Sequence, residues 1–140
     1  MSLLSQLTSL HQEVLALISD LEALTRADQP RLDAVAGTRL KLTRASRKRT
    51  SLLEGTIYPL LLEAATPAER TRITALRQEG KDALHGSVEH IGRWTIAEIE
   101  RRWADYRAAS AKLRGAMRTR VADERALVYP LLAAKGDVTA

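Results

Sequence analysis

Ile57-Tyr58-Pro59-Leu60-Leu61 returns as Val128-Tyr129-Pro130-Leu131-Leu132, an offset of 71 residues in a chain of 140. Arg47 and Arg49 match Arg118 and Arg120 at the same offset. A repeat near half the chain length implies two similar halves and constrains the whole fold. Just upstream of the two Tyr-Pro pairs stand Arg49 and Leu53 in the first copy, and Arg120 and Glu124 in the second.

Working outward, Leu3, Leu7, Leu10, Val14, Leu17 and Leu21 recur in steps of three and four, the stripe of one helix over about 2–26. Asp28 to Pro30 closes it and opens a second helix over about 30–62. Thr66-Pro67-Ala68-Glu69 has the hydroxyl and carboxylate of a capping box, with proline at the first helical position. It starts a third helix, about 67–92, with Ile73, Leu76, Leu84, Val88 and Ile91 on one face. Thr95-Ile96-Ala97-Glu98 is a second capping box and starts a fourth helix, about 96–132. Nothing reads as a strand. The expectation is one all-α domain over 1–140, an up-down-up-down antiparallel four-helix bundle built from two similar αα-hairpins.

Composition excludes several chemistries. The chain has no cysteine, which removes disulfides and thiolate metal sites. It has no Phe and only 4% aromatic residues, so the core must be built mainly from Leu, Ile, Val and Ala. The opening residues lack a charged and apolar leader pattern, and no run nears the ~20 apolar residues that span a bilayer. A cytoplasmic protein without a membrane partner is the expectation. Net charge is +5, with the densest cations at Arg44, Arg47, Lys48 and Arg49. These cations are mixed with 17 acids, and no aromatic residues interleave with them. That pattern fits a solvated helix face better than a nucleic-acid surface.

Some polar residues nevertheless fall on or beside the apolar stripes. The fourth helix runs Met117, Arg120, Glu124, Leu127, and the offset carries this seam to Ser46, Arg49 and Leu53 in the second. His11 lies at the edge of the first stripe; His85 sits between Leu84 and Val88, with Glu89 one turn later. Charged groups are rarely buried unless paired or metal-bound, so their similar heights predict a polar layer inside the bundle. His90 is expected to face solvent, Trp94 and Trp103 to pack at the corner between the last two helices, and Tyr58 and Tyr129 to pack at helix ends. Leu15, Ile18 and Leu52 are read as exposed.

In helix order, helix lengths and the two Tyr-Pro ends, the chain resembles the hemerythrin-like (HHE cation-binding) family, whose bundles usually carry a non-haem di-iron centre. The resemblance puts His11 at the histidine of helix 1, His85 and Glu89 at the pair of helix 3, and Glu124 at the carboxylate of helix 4. It also puts Arg49 and Arg120 where histidines are expected, and Leu53 at the remaining carboxylate. Arginine has no lone pair to offer a metal and does not deprotonate in proteins. A normal di-iron site therefore cannot be assembled.

Two readings follow. In one, no metal or other cofactor binds, and Arg49 and Arg120 pair with Glu89 and Glu124 in a core network. In the other, His11, His85, Glu89 and Glu124 hold a single divalent metal, iron first. No nucleophile–base pair or Gly-rich phosphate loop points to an enzyme. The expected function is a non-catalytic regulatory or protein-binding module, monomeric or homodimeric. A one-metal protein sensing oxygen, redox state or iron is the alternative, and a basic nucleic-acid-binding bundle the weaker one.

Overall fold

A computed structural model describes residues 1–136, and every described element is helical. In order these are α1 (Leu3–Thr25), α2 (Leu32–Leu52), a π-turn (Leu53–Ile57), α3 (Tyr58–Glu63), α4 (Pro67–Arg93), α5 (Ile96–Arg101) and α6 (Trp103–Ala134). No described helix is long and apolar enough to cross a membrane.

The ends form where their side chains satisfy orphan backbone donors. Ser2 accepts from the Ser5 amide at 3.0 Å, and the Thr66–Glu69 box closes in both directions at 3.1 and 2.9 Å. Thr95 accepts from the Glu98 amide at 3.2 Å. The start of α2 differs from expectation: it begins at Leu32 behind Arg31, with no side-chain cap.

The second predicted helix is continuous in direction but not in hydrogen bonding. The Tyr58 amide bonds back to the Leu53 carbonyl, and Pro59 follows without an N–H. An α-helical Pro59 would also press its ring on the carbonyl four residues back, and a widened π-turn is a common way to absorb such a misfit. Pro130, in the second copy of the motif, lies inside α6 with no such turn. The two copies thus share a sequence but not a backbone. The fourth predicted helix is likewise interrupted, at Arg102 (φ −129, ψ 52). Just past this break, Trp103 donates to the Ala27 carbonyl at 2.8 Å.

α1 packs on α2 and α6, whereas α4 packs mainly on α6 and α3. Buried apolar side chains form two clusters. One contains Leu3, Leu7, Leu53, Ile57, Ile73 and Leu127, and the other Val14, Ile18, Val35, Leu42, Tyr106 and Val121. Each fully buried Leu, Ile or Val contributes ~1.5–3 kcal/mol. His11 falls between Leu7 and Val14, Arg49 between Ala45 and Leu53, and Glu124 between Val121 and Leu127. A polar layer therefore separates the two halves of the core.

Three burial expectations need correction. Ile18 is fully buried rather than exposed, because the inner stripe of α1 runs Leu7, His11, Val14, Ile18, Leu21. Leu15 and Leu52 are half-buried. Leu84, Val88 and Ile91 are 50%, 58% and 43% exposed, since no described helix packs over that face of the later turns of α4.

Candidate functional site: a carboxylate held by two arginines

Glu124 is the hub of the layer and is completely buried. Its Oε1 accepts from His11 Nε2 at 2.8 Å and lies 3.5 Å from Arg49 Nε. Its Oε2 lies 2.9 Å from Arg120 Nε, close enough for ion pairing but off the line of a hydrogen bond. Arg49 and Arg120 are each 8% exposed, so neither carries its charge out to water. Behind the carboxylate, His11 is 1% exposed and its Nδ1 meets the Tyr129 hydroxyl at 2.6 Å. A carboxylate only accepts, so Nε2–H donates to Glu124, while the Tyr129 hydroxyl, able to donate or accept, holds the ring from Nδ1.

Of the six residues expected in this layer, four come together: His11, Arg49, Arg120 and Glu124. His85 and Glu89 do not. They sit 3.4 Å apart with side chains 79% and 71% exposed, on the part of α4 that no helix covers. The network predicted between Glu89 and the arginines is therefore corrected. His11 takes that place as the third partner of Glu124, from the centre of the α1 stripe rather than its edge. Glu54 lies outside the layer too, paired with Arg77 at 2.7 Å.

His90 also departs from expectation. It is half-buried with its ring 6.0 Å from that of Tyr106, because the last turn of α4 returns to the core where Trp94 anchors it. Burial, followed by the charges of Arg39 and Arg93, holds the His90 imidazole below its ordinary pKa. Trp94 and Trp103 do pack at the corner, against Tyr106 at 5.5 and 5.8 Å.

Two contributors escaped sequence reasoning. Tyr129, expected only to pack at a helix end, also orients His11. Gly80 lets α4 approach the layer closely: a Cβ there would collide with Arg120 Nη2. An isolated glycine inside a helical pattern was the available signal.

A cavity of about 230 Å³ reaches the layer between α2, α4 and α6. Arg49, Arg120, Glu124 and Tyr58 line it along with Leu53 and Glu54, and Lys81 and Leu84 line it from α4. Burial, then the Glu124 charge, pushes the Tyr58 phenol up to about 12, so its proton stays on throughout the neutral range. A second, more open groove of about 520 Å³ lies between α1 and α6. Its arginines are already partnered: Arg114 and Arg118 lie 3.3 and 3.2 Å from Glu22. The hydrogen bond from Arg118 holds the Glu22 carboxyl below the usual range.

The donor set of the layer does not fit a metal. Only His11 and Glu124 have lone pairs of the required kind, both are engaged, and two guanidiniums stand where a cation would be repelled. Among the described residues no group of three or more His, Cys, Asp or Glu side chains is placed to hold an ion. No family model, curated protein or solved structure matches this chain.

Proposed function

We propose that this chain is a hemerythrin-like, up-down-up-down four-helix bundle in which two arginines have taken the place of the metal centre. On this reading it works in the cytoplasm as a non-catalytic regulatory or protein-binding module. The observation that carries it is the Glu124 carboxylate, buried between two apolar clusters and neutralised by Arg49 and Arg120. A carboxylate in so dry a site needs a cation, and guanidinium supplies that charge permanently. The uncovered apolar face of α4 is consistent with a protein partner.

Metal analysis of protein purified from iron-supplemented cells tests the reading. The expected result is far less than one metal ion per chain, unchanged in His11→Ala. Stoichiometric iron that is lost in His11→Ala would overturn it.

A further inference from the structure

The layer is not electrically closed. Arg49 and Arg120 bring two positive charges to one carboxylate, and Arg77, not a group of the layer, holds Glu54. Arg120 has one further acidic neighbour, Glu79 at 3.9 Å, whose side chain is 62% exposed and thus well screened. Several donors are also unspent. Arg49 Nε and Nη1, Arg120 Nε and Nη1 and the Tyr58 hydroxyl are buried with no hydrogen-bond partner among the described residues, and Glu124 Oε2 likewise accepts no hydrogen bond. Buried guanidinium and phenol donors are rarely left unmatched, because each then forfeits its hydration without recompense. All three residues line the same cavity.

We propose that this cavity binds a small organic monocarboxylate. One negative charge balances the single excess positive charge of the inner layer, whereas a dianion would overshoot it. A carboxylate presents two oxygens to guanidinium N–H groups in the planar geometry Arg favours. Leu53 and Leu84 supply an apolar wall suited to a short hydrocarbon group, beside Thr50, Gly80 and a Glu54 carboxylate already paired with Arg77. The volume, about 230 Å³, equals that of several water molecules at ~30 Å³ each, enough for a chain of a few carbons. Lys81, exposed on the α4 side, adds an attractive charge for an entering anion. The proposal deepens the metal-free reading and rests on it, because a cation bound in the layer would already occupy the charge that the carboxylate balances.

Butyrate titrated into the full-length protein at low salt, followed by amide and arginine Nε–H NMR signals, is the test. Saturable shifts are expected at Arg49, Gly80, Lys81 and Arg120, with none from butyramide and only weak ones from phosphate or chloride. Arg49→Leu should weaken binding at least about tenfold. The exposed substitution Lys81→Glu, which leaves the layer untouched, should weaken it several-fold, less so at high salt. Shifts no larger than those from chloride, tighter binding of phosphate, or an affinity indifferent to Lys81→Glu would each overturn the assignment. Metal content measured on the same sample separates the two failures. A metal-free protein that ignores butyrate refutes only the ligand, and a metal-loaded one refutes the reading beneath it.

Discussion

Glu124→Ala isolates the physics of the layer. It removes the only acidic partner that Arg49 has among the described residues, leaves Arg120 with the distant and exposed Glu79, and strips His11 of the acceptor for Nε2. Two cations, each 8% exposed, are then buried without compensation. Breaking a buried pair in this way costs about 3–5 kcal/mol. For a chain of this size each kcal/mol lowers Tm by about 3–4 °C, so the loss should be roughly 10–20 °C.

The single arginine changes should cost less, and the order is the sharper part of the prediction. Without Arg120, Glu124 still has His11 at 2.8 Å and Arg49 at 3.5 Å; without Arg49, it keeps His11 and Arg120 at 2.9 Å. Each of Arg49→Ala and Arg120→Ala should therefore cost about 1–3 kcal/mol, one ion-pair partner lost by a carboxylate that keeps two others rather than an orphaned charge. Replacing all three by apolar residues of similar size should return most of the stability. Thermal and urea melts followed by circular dichroism decide the matter. A Glu124→Ala shift under about 3 °C, or one smaller than either arginine change, would refute the burial and pairing described here.

Tyr129→Phe removes only the hydroxyl that orients His11, and should cost about 0.5–1.5 kcal/mol. Combined with Glu124→Ala it should cost less than the sum of the two, because both changes release the same imidazole; strict additivity in melts would argue against the chain of contacts. Tyr58, pushed up to about 12, should give a late tyrosinate absorbance phase, and Tyr58→Phe should reduce the rise above pH 10 by one tyrosine while leaving that of Tyr106, which burial also raises. The folded pKa of Tyr58 is raised, so its contribution to stability is complete below pH 10 and is lost as pH rises from there toward about 12. His90 has a lowered folded pKa, so its contribution is present above 6.5 and is lost as pH falls through the folded value. An NMR titration of its ring should show a midpoint below 6.5, and a midpoint at or above that would contradict its burial against Tyr106.

How much of this was legible in the sequence depended on whether the deciding partner was local. Thr66 with Glu69 and Thr95 with Glu98 are bonds between residues three apart, and both capped helices begin where those pairs predict. Leu3, Leu7, Val14 and Leu21 are buried as their spacing predicts, but a stripe has two edges, and His11 rather than Leu10 lies at its centre. The face of Leu84, Val88 and Ile91 has the spacing of a buried stripe too. Spacing says which residues share a face; it does not say whether another helix arrives to cover it. His85 and Glu89 fall outside the layer for that one reason, since they ride on the uncovered turns of α4. The Tyr-Pro repeat shows the same limit, for identical words gave a π-turn at Leu53–Ile57 and an unbroken helix at Pro130.

The imperfection of the repeat has an electrostatic consequence. Both copies carry arginine at matching positions, Arg49 and Arg120, but four residues on the second has Glu124 and the first has Leu53. An acid at both places would have given the layer two carboxylates for two guanidiniums and no net charge. Leu53 instead leaves one cation in excess and lines the cavity beside it with an apolar side chain. The same departure that removes a carboxylate from any metal site thus creates both halves of a carboxylate pocket, a charge for the head and a wall for the tail. Arg49 and Arg120 close part of the layer around Glu124, and Leu53 keeps them from closing all of it.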